Sequence, residues 1–214
     1  MHLARLVLLV LLVLGLAACG GGDEEPEATT GAAPTTSAPA SESGCRSVDA
    51  PEPKPDGGRE APAEALDTAK TYRLVVETNC GSFTIELDQE AAPRTSASLV
   101  SLAESGFFDG TTFHRVVPGF VIQGGDPDGT GRGGPGYKFA DEPVQGAYTL
   151  GAVAMANAGP DTNGSQFFIC IEDCQDKLQP LYNLFGYVTS GIEVAQAITV
   201  GDKMSSVTVE EQSG

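Results

Sequence analysis

Hydrophobic and polar positions change rhythm twice along this chain. Leu6 to Leu16 (LVLLVLLVLGL) is an almost unbroken apolar run, and from Gly20 to about Lys70 aliphatic side chains nearly vanish. Beyond Lys70 the pattern is that of a folded domain. Arg73 to Thr78 is a short β-branched run, and Phe83, Ile85 and Leu87 alternate with Thr84, Glu86 and Asp88, the period of a half-buried strand. Asn79-Cys80-Gly81 between them signals a turn. A helix is predicted over Pro93–Ser105: Pro93 suits a first-turn position, Leu99, Leu102 and Ala103 share one face, and Gly106 can end it. Short apolar runs then alternate with Gly-rich turns: 113–117, 120–122, 153–156, 167–171 and 184–188. Many short strands with few helices predict an all-β sandwich or barrel.

Composition narrows the chemistry. The 214 residues carry 12 Lys+Arg against 29 Asp+Glu, a net charge of −17, which argues against nucleic acid as a partner because the phosphates would be repelled. The two histidines are His2, in a segment expected to be removed, and His114. A two-histidine metal site is therefore excluded from the mature chain, and no metal or other cofactor is expected.

The apolar run ends well short of the roughly 18 to 20 residues that a membrane span needs. Arg5 precedes it, and Leu16-Ala17-Ala18-Cys19 follows, resembling a bacterial lipobox. That resemblance implies a signal peptide over 1–18, cleavage before Cys19 and acylation of its thiol, with palmitate-type chains holding the protein to a membrane outside the cytoplasm. Residues 19–70 hold seven prolines and eleven acids against four bases, and read as a disordered acidic tether carrying a domain at 71–214. With Cys19 lipidated, Cys45, Cys80, Cys170 and Cys174 remain, an even number with three possible pairings. Cys45–Cys80 with Cys170–Cys174 is the preferred one.

Two stretches are more specific than any periodicity: Phe113-His114-Arg115-Val116-Val117-Pro118-Gly119-Phe120-Val121-Ile122-Gln123-Gly124-Gly125-Asp126, and Met155-Ala156-Asn157-Ala158-Gly159-Pro160-Asp161-Thr162-Asn163-Gly164-Ser165-Gln166-Phe167-Phe168-Ile169. Both resemble the signature blocks of cyclophilins, the peptidyl-prolyl cis–trans isomerases, and Phe108-Asp109-Gly110 and Leu184-Phe185-Gly186 extend the likeness over about residues 72–210. The resemblance implies a closed eight-stranded antiparallel barrel capped by two helices, the second near Glu193–Ile198. It implies proline-containing polypeptides as substrates and a monomer. Phe120, Met155, Phe168 and Leu178 would form the proline pocket, and Gln123 would bind the peptide backbone and position Arg115. Asn157 would bind substrate through its main chain, while Ala156, Ala158 and Gln166 would line an adjoining groove. His114 borders the site in this family and would serve in packing or in the groove wall.

Elementary chemistry agrees with that assignment. Rotating an X–Pro bond crosses a barrier of about 18–20 kcal/mol without making or cutting a covalent bond. The catalyst needs a donor for the imide nitrogen and a dry pocket for the ring. Arg115 is the strong cationic donor of the two motifs. One charge-assisted hydrogen bond contributes about 1.5–3 kcal/mol, whereas a thousandfold acceleration needs about 4, so desolvation and peptide positioning supply the rest.

Two departures carry consequences. Lys177 stands where many cyclophilins have a Trp that supports tight cyclosporin binding, so weak cyclosporin binding is expected. Tyr182 stands where many have His, and its phenol can still donate to a substrate carbonyl. Other motifs fail. Asp126-Pro127-Asp128-Gly129-Thr130-Gly131 begins like a calcium loop, but Tyr137 occupies the place of the bidentate Glu. A different class of function is a membrane-tethered binder of proline-containing loops without turnover, which Arg115→Ala would separate from an enzyme.

Overall fold

The computed structural model describes residues 44–49, 54 and 57–213. The expected signal peptide, Cys19 and most of the tether lie outside these residues. Among the described residues no helix is long and apolar enough to cross a membrane.

The chain forms β1 (Lys70–Thr78), β2 (Gly81–Leu87), α1 (Pro93–Glu104), β3 (Arg115–Val117), β4 (Val121–Gly124), β5 (Ala152–Met155), β6 (Phe167–Cys170), β7 (Leu184–Ser190), α2 (Ile192–Ala197) and β8 (Met204–Ser213). All eight strands join one antiparallel sheet in the order β3-β4-β6-β5-β7-β2-β1-β8. The first hairpin follows from its alternation, with Leu74 opposite Ile85 and Val76 opposite Phe83, all buried. β8 was not among the expected strands, although Leu74 and Val76 face its Val209 and Val207.

The closed barrel expected from the family resemblance is corrected to an open half-barrel. Its edge strands, β3 and β8, share no ladder among the described residues. β3 is only three residues long and runs into Pro118, which has no N–H to extend a ladder. Single bonds from the preceding segment bridge the gap instead. Gly110 N–H donates to the Met204 carbonyl (2.7 Å), Met204 N–H to Thr111 (2.9 Å) and Phe113 N–H to Asp202 (2.9 Å).

Helix α1 has no side-chain cap of its own at Ala92. Glu142 supplies one from a distant loop, its carboxylate accepting the N–H groups of Arg94 (2.8 Å) and Thr95 (3.0 Å). Two otherwise orphaned helix donors are thereby satisfied by an anion at the positive end of the helix dipole.

The pleat divides the sheet into two faces. Ile122, Val153, Met155, Phe167 and Ile169 belong to the main core inside the half-barrel, with Phe83, Phe108 and Phe113. Their neighbours in sequence, Val121, Ala152, Ala154, Phe168 and Cys170, point the other way into a smaller cluster with Tyr148, Cys174 and Leu184. The second cluster lies beneath the candidate site.

Cys45 and Cys80 are joined (S–S 2.05 Å). The other expected bridge is absent: Cys170 and Cys174 are free thiols, both buried. Cys174 Sγ donates instead to the main-chain carbonyls of Glu172 (3.4 Å) and Phe120 (3.5 Å). Burial pushes both thiols above the ordinary cysteine range, a shift that keeps them protonated.

Candidate active site

Register builds the site as one row across four strands. Arg115 stands opposite Gln123, Gln123 opposite Phe168, and Phe168 opposite Ala154. Directly opposed residues share a face, so Arg115, Gln123 and Phe168 all project outward. The β3–β4 hairpin that sets this register turns at Pro118-Gly119, where Gly119 takes φ +70°, and Phe120 N–H donates to the Val117 carbonyl (3.0 Å).

Beside this row is a pocket of about 190 Å³, lined by Arg115, Phe120, Val121, Gln123, Ala156, Asn157, Phe168, Leu178 and Tyr182. Phe168 is its floor, with the Tyr182 ring edge-on at 5.5 Å. Its outer lip is Phe120, whose ring lies 5.7 Å from the Lys177 ammonium.

An amide relay fixes the polar side. Arg115 Nη1 donates to Gln123 Oε1 (3.3 Å), Gln123 Nε2 to Gln166 Oε1 (3.1 Å), and Gln166 Nε2 to the Gly133 carbonyl (2.9 Å). Gly133 is itself pinned. The Asp126 carboxylate, fully buried, accepts N–H groups from Gly131, Asp128 (2.9 Å) and Arg132 (3.0 Å). A Cβ on Gly133 would fall 2.3 Å from Asp126 Oδ1, so only glycine fits there. The relay leaves the guanidinium charged, oriented and exposed, with donors to spare.

Next to the pocket runs a larger groove of about 680 Å³, sharing Gln123, Ala156 and Asn157 with it and adding Ala158, Gln166 and the wall Gly133–Tyr137. Asn157 Nδ2 donates to the Leu181 carbonyl (3.0 Å). The Asn157 backbone has no hydrogen bond among the described residues, leaving an open strand edge just past β5.

Most expected site residues therefore meet at one place. Met155 does not. It is fully buried and pairs with Phe167 on the inner face, so the pleat carries it away from Phe168. Val121 takes the place expected of Met155; its parity with Gln123 on β4 was the available signal. His114 lines neither cavity. It is half-buried near Gly131, with no hydrogen bond at either ring nitrogen. Burial lowers its pKa, Asp126 partly opposes that, and the Arg115 charge adds a smaller lowering.

Among the described residues one trio of metal-capable side chains converges, Cys45, Cys80 and Asp202, and its two sulfurs are spent on the disulfide. The site itself is a fixed cation beside an apolar pocket and an open strand edge. Such an arrangement can hold an extended peptide and donate a hydrogen bond to it.

Comparison with known proteins agrees. Residues 73–212 match the family described as cyclophilin type peptidyl-prolyl cis-trans isomerase/CLD. The chain belongs to the cyclophilins. Among curated relatives, peptidyl-prolyl cis-trans isomerase B of Bacillus subtilis is 53% identical over 141 residues, covering 65% of this chain and 96% of that protein. A peptidyl-prolyl cis-trans isomerase of Synechococcus elongatus is 42% identical over 139 residues, 64% of this chain and 95% of the relative. A solved cyclophilin-type isomerase of Cryptosporidium parvum superposes with a TM-score of 0.60 at 30% identity, over 65% of this chain and 98% of that one. This cyclophilin is thus an isomerase of X–Pro bonds by family, and the matched span contains the whole pocket.

Proposed function

We propose that this cyclophilin accelerates X–Pro rotation in exported polypeptides as a lipid-anchored monomer, using Arg115 beside the proline pocket. The observation that carries the mechanism is the Arg115–Gln123–Phe168 row, which sets a charged donor and an apolar floor on one face. As the imide bond twists, its nitrogen lone pair localises and becomes an acceptor. The Arg115 guanidinium donates to that nitrogen most strongly when the bond is half rotated, so the hydrogen bond favours the transition state over either ground state. Gln123 holds the guanidinium in place beforehand. Phe120, Val121, Phe168 and Leu178 enclose the ring and exclude water, which strengthens the bond from Arg115. The substrate backbone runs along Asn157 as an added strand. Tyr182 donates to a carbonyl of the peptide. A related Cryptosporidium parvum structure was determined in the presence of the dipeptide Ala-Pro, which supports this ligand class.

The compartment rests on the sequence: the Leu16-Ala17-Ala18-Cys19 run, the acidic tether and an even set of four later cysteines. A membrane fraction that loses the protein on Cys19→Ser supports the anchor, and unchanged fractionation overturns it.

The deciding experiment is a protease-free isomerisation assay on X–Pro peptides with wild type and Arg115→Ala. The variant should lose about 10- to 100-fold in kcat/KM. A silent wild type that still binds the peptides would make the protein a binder of proline loops instead.

A further inference from the structure

The segment preceding β1 contributes to the substrate groove, although it lies before the span shared with other cyclophilins at 73–212. Gly57 N–H donates to the Gly134 carbonyl (3.0 Å), and Arg59 N–H to the Pro135 carbonyl (3.0 Å). Gly57 and Gly58 pack so closely on Gly136 that a Cβ there would lie 2.6 Å from Gly58 N. Gly57 itself lines the groove.

Three anchors outside the groove hold this segment. Lys54 Nζ donates to the carbonyls of Gly106 (3.1 Å) and Phe107 (3.2 Å), just beyond the end of α1, while its own N–H reaches the Pro127 carbonyl (3.1 Å). Arg59 bonds Ser105 Oγ and lies over the Phe107 ring at 5.4 Å. Upstream, the Cys45–Cys80 disulfide ties the chain to the first hairpin.

We propose that Lys54, Gly57, Gly58 and Arg59 form a strap that sets the outer wall of the groove and so determines how the enzyme reads residues flanking the proline. The inference rests on the isomerase reading of the pocket. Gly134-Pro135-Gly136 is a glycine-rich run, and the strap donates to two of its carbonyls, those of Gly134 and Pro135. Asp126 secures the loop around Gly131 and Arg132, and the amide relay ends on the Gly133 carbonyl. Strap and relay therefore act on different parts of one loop. Loosening the strap alters contacts made by a long peptide and spares Arg115.

The test is Lys54→Met/Arg59→Ala in the full-length chain, assayed on an X–Pro tetrapeptide and on an X–Pro peptide of about ten residues. The expected result is a rise in KM of about three- to tenfold for the longer peptide, with kcat and the tetrapeptide kinetics unchanged. Equal losses on both peptides, or no change on either, overturn the proposal. Hydrogen exchange on the wild type provides a second measure that needs no variant. The Gly57 and Arg59 amides should exchange at least tenfold more slowly than an unstructured chain, and slower still with the long peptide bound. Exchange at the unstructured rate overturns the strap. An inactive wild type with protected strap amides would count against the isomerase reading alone, because the wall would still be built.

Discussion

The Lys177 ammonium lies over the Phe120 ring and donates to the Gly119 carbonyl at 2.8 Å. It closes the lip of the proline pocket with a solvated, flexible cation in the position where many cyclophilins have an indole. Cyclosporin is largely apolar, and it gains less from an ammonium than from an aromatic face and a fixed N–H donor. Lys177→Trp should tighten cyclosporin binding about tenfold or more while changing peptide turnover little. Titrating isomerase inhibition in both proteins checks this, and equal affinities would count against it.

Breaking the relay one residue from Arg115 should show that orientation matters as well as charge. Gln123→Met keeps the volume and removes both relay bonds. A kcat/KM loss of about 5- to 20-fold is expected, smaller than for Arg115→Ala, with the unfolding midpoint nearly unchanged because Gln123 is only half-buried. A loss as large as that of Arg115→Ala would mean that Gln123 meets the substrate more directly.

The two sides of β4 and β5 should respond oppositely to truncation. Met155→Ala removes a fully buried core side chain and should cost about 2–5 kcal/mol of stability while leaving KM alone. Val121→Ala opens the pocket, raising KM several-fold at a smaller stability cost. Chemical denaturation alongside steady-state assays separates them. A KM change in Met155→Ala would return that residue to the site.

Acid should weaken the fold through His114. Burial holds its pKa below the ordinary histidine range, so the unfolded chain takes up the proton first as pH falls. Its contribution is complete above that range and is lost as pH drops through about 6.5 toward the lower folded value. His114→Phe should flatten the dependence of the urea midpoint between about pH 7 and 5. The variant and the wild type sharing one slope would assign that dependence to other groups.

Intact mass under non-reducing, denaturing conditions should give one disulfide and two alkylatable thiols in the domain. In the native state Cys170 and Cys174 should react slowly, since both are buried and protonated. Two disulfides in freshly purified protein would contradict the free pair.

How much of this was legible beforehand differs by residue. Phe83, Ile85 and Leu87 announced β2 because one of its faces is solvated and the alternation survives in the sequence. Arg115, Gln123 and Phe168 could be taken from the motifs. Those motifs name residues without saying which way the pleat turns them, so they do not separate Met155, on the core face, from Val121, on the pocket face. β8 went unread because Ser205, Ser206 and Thr208 dilute its apolar positions, and its burial comes from β1. Closure of the sheet was not legible either. It depends on whether a three-residue β3 can pair with a strand some ninety positions later, which no local pattern encodes. The strap was hidden for a related reason: backbone N–H groups hold it, and these are the same in every sequence but proline.

The outward row on β3, β4 and β6 ties the reaction to a parity. Substitutions on the core face and the pocket face can drift independently, since each strand residue belongs to only one of them. A single insertion or deletion within β4 or β6 cannot, because it would exchange the faces and drive Gln123 or Phe168 into the interior. Length variation must therefore enter through connections. The loop between Ile171 and Pro180 is one such connection, and it brings Leu178 to the pocket and Lys177 over the Phe120 ring. The strands hold the row by counting, and the loops are free to change in length.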